Sequence, residues 1–241
     1  YRKRFQVFLS EKDYPQKRPD EKFILTHLAS APLVSIIIPC FNQFEFTIKC
    51  INSISINTES SIPYEIILID DKSSDDTSNI EDYYPEIRVI RNKENQGFLK
   101  NVNNAAKQAR GEYIVLLNND TIVLKEWLST SLHVFEHFDH VGAVGSKLIY
   151  PNGMLQEAGG YITKDEHFGN CGKFKSIFLP SYNYTREVDY VSGACFLIKK
   201  QLWSDLGGFD DIYLPAYFED TDLCMRIRAT GRKVIYNPLS C

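Results

Sequence analysis

Residues 113–121, Tyr113-Ile114-Val115-Leu116-Leu117-Asn118-Asn119-Asp120-Thr121, pass from wholly apolar to polar and close on Asn119-Asp120-Thr121, which places a carboxylate at the tip of the run. A short apolar run that stops in polar turn formers reads as a strand buried within a sheet. In open α/β sheets ligands sit in the crevice beyond the carboxyl ends of the strands, where loops diverge from a rigid scaffold. Asp120 is therefore placed to meet a metal ion or a sugar hydroxyl. A plainer role competes, because a short acid also caps helices, here one beginning near Lys125.

Upstream, the same alternation repeats. Leu33-Val34-Ser35-Ile36-Ile37-Ile38 reads as a buried strand stopped by Pro39, and Ile48, Ile51 and Ile54 recur at helical spacing. Glu65-Ile66-Ile67-Leu68-Ile69 is a second strand, ending at Asp70-Asp71, and Ile87-Arg88-Val89-Ile90 is a third. Asn101 to Arg110 places Val102, Ala105, Ala106 and Ala109 on one helical face, with Gly111 as its stop. Short apolar runs alternating with amphipathic stretches predict an α/β fold: a Rossmann-like, mostly parallel central sheet flanked by helices, its strand ends sharing one edge.

Composition narrows the class. A chain of 241 residues is compatible with one sizeable core, and a formal net charge of -4 argues against a general nucleic-acid binder. Cys40, Cys50, Cys171, Cys195, Cys224 and Cys241 form no CxxC pair and several lie in apolar runs, so they read as reduced core residues of a cytosolic protein. No apolar stretch approaches the roughly 18 residues that span a bilayer. There is no signal peptide, and the chain begins at Tyr1, which reads as a piece of something longer with further domains outside it. Residues 1–32 carry Arg2, Lys3, Arg4, Lys12, Lys17, Arg18 and Lys22, interrupted by Pro15, Pro19 and Pro32. They read as an N-terminal extension or linker, with peripheral attraction to a membrane surface as the competing reading.

The loops after the strands hold complementary chemistry. Phe41 offers an aromatic face for a flat base, and Asp70-Asp71 offers acceptors for a base imide or ribose hydroxyls. Against this, Phe41 could be core, and Asp71-Lys72-Ser73-Ser74-Asp75 could serve as a turn and helix cap. Neither GxGxxG nor GxxxxGK[ST] is present, so a nucleotide here needs a metal to neutralise its diphosphate.

In the second half, Glu219, Asp220 and Asp222 enter a helix whose apolar face carries Leu223, Ile227 and Cys224. Favourable charge at a helix start accounts for Asp222 or Glu219, but not for Pro215 and the two aromatics that precede them. Gly153 to Gly160, Val191-Ser192-Gly193-Ala194 and Gly207-Gly208 either let backbone approach a sugar or make tight turns. His133 and His137 share a helical face at a spacing that can bind zinc, but without further ligands they read as a solvated face.

Taken in order, Val34-Ser35-Ile36-Ile37-Ile38-Pro39-Cys40-Phe41-Asn42, Ile69-Asp70-Asp71-Lys72-Ser73-Ser74-Asp75, Asn95-Gln96-Gly97-Phe98, Leu117-Asn118-Asn119-Asp120 and Phe218-Glu219-Asp220-Thr221-Asp222-Leu223 resemble family 2 glycosyltransferases of the GT-A fold. The resemblance implies a GT-A domain over 33–241 with a smaller acceptor-side subregion, truncated at its C-terminal end. It implies metal-dependent, inverting transfer from a UDP- or dTDP-sugar to a hydroxyl of a glycan or lipid-linked saccharide, in the cytoplasm or at the inner face of the membrane. Pro39, Phe41, Asp70, Asp71, Gly97, Asn118 and Asn119 would meet the nucleotide sugar, with Phe41 and Asp71 holding base and ribose.

Asp120 would bind Mn2+ or Mg2+, and Asp220 would be the general base, with Glu219 binding the acceptor or exchanging roles with it. The middle region makes Gln156, Glu157, Ser192 and Asp189 contacts of the donor sugar or acceptor. Two departures stand out. Asn118 replaces the first acid of the family's Asp-X-Asp, which predicts weaker metal affinity, and no histidine follows His167 where the family often supplies another ligand. Both leave open a noncatalytic nucleotide-sugar or glycan-binding domain, and a nucleotidyltransferase is the other enzyme reading.

Overall fold

The computed structural model describes residues 28–241. Most of the basic, proline-interrupted stretch therefore lies outside the described residues, although Ala29 donates to the Tyr64 carbonyl (2.9 Å) beside the first strands.

Each apolar run becomes a strand: residues 34–40, 64–70 and 113–117 are buried along their length, while residues 88–91, at the edge of the sheet, are only partly buried. In chain order the domain runs β1 (Val34–Cys40), α1 (Phe44–Asn57), β2 (Tyr64–Asp70), a 3-10 segment (Asp76–Asp82), β3 (Arg88–Arg91), α2 (Phe98–Gln108), β4 (Tyr113–Leu117), α3 (Trp127–His137) and β5 (Val141–Ser146). Four short strands follow, β6 (Leu148–Ile149), β7 (Leu155–Glu157), β8 (Gly160–Ile162) and β9 (Phe168–Asn170), and then β10 (Arg186–Glu187), β11 (Cys195–Lys199), α4 (Lys200–Asp205), α5 (Glu219–Ala229) and β12 (Lys233–Asn237).

Eight strands form one sheet in the order β10-β12-β5-β11-β4-β1-β2-β3. β3, β2, β1 and β4 are mutually parallel, as β12 and β5 are, while β11 lies antiparallel between β4 and β5. The chain turns in opposite directions from β1, toward β2 on one side and β4 on the other, and such a switch point opens a crevice at the strand ends. Because β11 runs the other way, its start (Cys195 opposite Leu117) joins that same edge.

Successive side chains of a strand face opposite ways, so both sheet faces need a cover. Ile36, Ile38, Leu68 and Val115 pack with Cys50, Ile51 and Ile54 of α1 and Trp127 and Leu128 of α3. Ile37, Ile67, Ile114 and Leu116 pack with Leu99 and Val102 of α2, Trp203 of α4 and Leu223 and Ile227 of α5. The β6–β7 and β8–β9 hairpins stand apart from the sheet as a smaller subregion.

Two boundaries differ from the sequence reading. α2 spans Phe98–Gln108 and ends on Ala109, before Gly111. A Cβ on Gly111 would lie 2.6 Å from the Ser35 backbone nitrogen, so the glycine is required by close approach to β1 and not by the helix end. Likewise α3 starts at Trp127, its cap position is Glu126 in a left-handed conformation, and no side chain caps it. Asp120 is therefore not that helix's cap.

An ion cluster around the buried Glu65, with its arginine partners reaching solvent, locks the amino-terminal edge of the sheet. Glu65 accepts from the Ser35 hydroxyl (2.6 Å), the Arg110 amide (2.8 Å) and Arg88 Nη1 (2.8 Å), and pairs with Arg110 Nη2 (2.7 Å). Burial alone pushes this carboxyl up, but the bonds from Ser35, Arg110 and Arg88 outweigh it and hold the pKa at about 2. The folded value lies below the ordinary 4.5, so the stabilisation is present above that pH and is lost as pH falls toward about 2. Glu65→Gln should cost about 2 kcal/mol at neutral pH and flatten the acid limb of stability, as read by urea denaturation between pH 7 and pH 3.

Candidate functional site

Three loops meet at the carboxyl edge, and their acids are held by backbone amides. After β1, Asn42 donates its backbone N–H to Ser73 Oγ (2.7 Å) and its Oδ1 accepts from the Ser74 amide (2.8 Å), tying that loop to the one after β2. Asp75 accepts from the Phe44 amide at the start of α1 and from the Thr77 amide (3.0 Å each), the turn-and-cap role that its segment suggested. Its carboxyl is held below the ordinary range although burial opposes this, because Thr77 and these amides favour the charged form.

Asp71 is buried and accepts three bonds, from the Gln96 amide, the Gly97 amide and Asn92 Nδ2 (2.8 Å each). A carboxylate offers about four acceptor positions, so one is left for a ligand. Asp71 thereby brings the Asn95-Gln96-Gly97-Phe98 loop over the crevice. Asp70, also buried, accepts from the Ser73 amide (2.8 Å) and pairs with Arg91 Nε (3.5 Å). Phe41 is not core: its ring is 51% exposed immediately beyond β1, whereas Pro39 is buried inside β1 opposite Ile69.

At the end of β4, Asn118 donates its N–H to the Ala194 carbonyl (3.1 Å), and Asn119 Nδ2 donates to Thr47 Oγ1 (3.0 Å). The Asn118 side-chain amide and the Asp120 carboxylate have no hydrogen-bond or ion-pair partner among the described residues, and Asp120 is exposed. Its charge is felt below, where burial first and Asp120 second push the Cys50 thiol up. A free carboxylate beside a free amide oxygen is a hard-oxygen donor set, which suits Mg2+ or Mn2+ better than zinc.

Consecutive amides of the segment before β11 hold two further acids. Ser192 N–H donates to Glu157 Oε1 (3.0 Å) and Gly193 N–H donates to Asp220 Oδ2 (2.9 Å), while Asp220 Oδ1 accepts from the Thr221 amide (2.7 Å). The segment carrying these amides continues into Ala194, which receives the Asn118 bond. A Cβ on Gly193 would lie 3.7 Å from Asp220 Cβ and 3.9 Å from Phe98 Cζ, and one on Gly97 3.7 Å from the Pro215 carbonyl. Residues 71, 97, 118, 157, 192 and 220, remote in the chain, thus gather at one place.

Glu157 is 2% exposed, and burial, aided by Asp220 and opposed by the Ser192 bond, raises its pKa to about 7. Because the folded value exceeds the ordinary 4.5, its contribution to stability is full below that pH and is lost as pH rises through about 7. Glu157→Gln should remove this loss, so the variant gains roughly 2 kcal/mol on wild type between pH 5 and pH 8, checked by thermal unfolding across that range. The side chain of Gln156, half-buried on the same strand, makes no hydrogen bond among the described residues. Asp189 is taken up by structure, accepting from the Ile162 amide (2.8 Å) and pairing with Arg228 (2.8 Å).

Glu219, beside Asp220, is 8% exposed, and its Oε2 has no partner among the described residues. Burial foremost, and then the Asp220 charge, push its carboxyl up. Before it, Tyr217 (φ 83°) and Phe218 (φ 69°) both adopt left-handed backbone conformations, costing about 1–2 kcal/mol each for bulky L-residues. The sequence signalled this segment only as two aromatics without a role. His133, Glu136 and His137, whose ligand atoms lie within 4.8 Å of one another, are all exposed on α3 away from this edge.

Comparisons with known proteins agree with this architecture. The profile of "Glycosyl transferase family 2" matches residues 35–207. An uncharacterised protein of Sinorhizobium fredii is 30% identical over 222 residues, 88% of this chain and 24% of that protein. The O-antigen biosynthesis protein RfbC of Myxococcus xanthus is 28% identical over 85% of this chain and 16% of its own length. The chain thus spans less than a quarter of those relatives. Among solved structures, GalNAc-T7 with UDP, GalNAc and Mn2+ superposes with a TM-score of 0.71 at 16% identity, covering 87% of this chain and 43% of that one. A Pyrobaculum calidifontis mannosyltransferase with GDP-Man and Mn2+ superposes at 0.61 with 19% identity, covering 98% of this chain and 62% of that one. On its sequence match and its sheet alike, the chain belongs to glycosyl transferase family 2 and has the GT-A fold.

Proposed function

We propose that this domain transfers a glycosyl group, with inversion, from a UDP- or dTDP-sugar to a hydroxyl of a glycan or lipid-linked saccharide. The observation that carries the reading is the pairing of acids across one strand boundary. Asp120 stands free at the end of β4, and Asp220 is held by Gly193 at the entry to β11, the strand hydrogen-bonded to β4.

In this reading Asp220 accepts the proton of the acceptor hydroxyl as its oxygen forms a bond to the anomeric carbon. The bond from that carbon to the diphosphate oxygen breaks on the opposite face, and the electron pair leaves with the nucleoside diphosphate. Phe41 stacks on the base, Asp71 offers its remaining acceptor position to ribose, and Gly97 lets the loop lie close to the nucleotide. Asp120, assisted by the amides of Asn118 and Asn119, would hold Mn2+ or Mg2+. When bound, such an ion supplies Lewis-acid neutralisation of the departing diphosphate. The nucleotides and Mn2+ bound to the two structural neighbours support a nucleotide sugar and a divalent ion as the ligand classes.

Among the described residues no helix is long and apolar enough to cross a membrane. We place the domain in the cytoplasm, with residues 1–32 as an extension whose basic side chains suit the anionic inner membrane surface.

Product analysis tests the reading. Acceptor-stimulated release of nucleoside diphosphate from a panel of UDP- and dTDP-sugars with Mn2+ is the expected result. Pyrophosphate release would instead mean nucleotidyl transfer. Thermal stabilisation by nucleotide sugar with no turnover would mean a binding domain.

A further inference from the structure

The aromatics before Glu219 remain outside the chemistry described so far. Tyr217 is 81% exposed and Phe218 52% exposed, so neither left-handed conformation is compensated by burial of its ring. Phe218 also occupies the cap position of α5 with no side-chain hydrogen bond, where serine, aspartate or asparagine would serve the helix better. From the neighbouring hairpin, Phe168 on β9, 47% exposed, meets the Phe218 ring edge to face at 5.3 Å and 64°. Tyr217 and Phe218 immediately precede Glu219 and Asp220 in the chain and Phe168 meets Phe218, so three exposed aromatic residues are kept next to these acids at the expense of backbone and cap. Strain kept without a return inside the fold points to a use outside it.

We propose that Tyr217, Phe218 and Phe168 form a stacking platform for a pyranose ring of the acceptor, which makes the acceptor a saccharide at its reactive end. This rests on the glycosyl-transfer reading above. A pyranose has a C–H face for an aromatic ring and hydroxyls for acceptors at its edge. The site offers both: the rings, and beside them Asp220 and the buried, unpartnered Glu219 Oε2. A bare lipid chain would cover the rings but bring no donor to either carboxylate.

Saturation-transfer NMR tests this on the whole chain, using methyl α-mannopyranoside, methyl β-glucopyranoside and methyl β-galactopyranoside, with mannitol as the acyclic control. Irradiation of protein aromatic protons should mark the ring C–H protons of at least one pyranoside and leave mannitol unmarked. Each stacking ring is worth about a factor of five, so Phe168→Ala should weaken that pyranoside about five-fold. Tyr217→Gly with Phe218→Gly should weaken it further while leaving the melting temperature unchanged or raised, since glycine accepts positive φ freely. A merely structural role for these aromatics predicts a lower melting temperature instead.

No pyranoside signal in the wild type, an unchanged signal in the glycine variant, or equal marking of mannitol would overturn the platform. Thermal stabilisation by UDP with Mn2+, measured on the same samples, separates the two readings. If it persists while the pyranoside signal is absent, the platform fails and the nucleotide site stands. If it is absent from the wild type, the nucleotide-sugar reading itself fails.

Discussion

Asp220→Asn is expected to lower the transfer rate about 10²–10⁴-fold while leaving nucleoside-diphosphate affinity within about two-fold of wild type. The substitution keeps the volume but only one acceptor oxygen, so of the bonds that Gly193 makes to Oδ2 and Thr221 to Oδ1 one is lost and the other holds the side chain in place. What it removes is the capacity to take a proton. Turnover measured at saturating acceptor, together with nucleotide affinity by calorimetry, separates the two effects. Retained turnover would move the base to Glu219, the neighbouring acid whose burial already favours its neutral form.

Asp120→Ala should act on the other half of the reaction. The Asp120 carboxylate is unengaged among the described residues, so its removal disturbs little packing. It takes away the charged donor at the end of β4 and leaves only amides there. Nucleotide affinity in the presence of Mn2+ should fall at least about ten-fold, toward the metal-free value. Titration calorimetry with and without Mn2+ reads this directly, and equal wild-type affinities in the two conditions would refute the metal assignment. Asn118→Asp should shift affinity the opposite way, because it restores a second negative charge.

The positions of Asp70, Asp71 and Asp120 along the chain were legible because buried parallel strands are continuous apolar runs, and the polar residue ending each run marks the crevice edge. Ile69-Asp70 and Leu117-Asn118 are such boundaries. The partners were not legible. That Asp71 spends three of its acceptor positions on Asn92, Gln96 and Gly97 depends on a loop about twenty residues away folding back over it. Gly111 illustrates the same limit: a glycine just past a helical pattern reads as a stop, yet its reason is a close backbone approach to Ser35 across the sheet edge.

Local pattern by itself determined the alternation of strands and helices, the edge on which the polar loops lie, and the family. Those properties follow from periodicity and from motif order, both carried by neighbours in the chain. Only the tertiary structure decided that β11 runs antiparallel between β4 and β5, and so delivers the Ser192 and Gly193 amides to Glu157 and Asp220. Strand direction and carboxylate burial depend on which surfaces meet, and a side chain's charge state depends on what that meeting leaves around it. That is why Glu157, an ordinary acid in sequence, becomes a group titrating near neutrality.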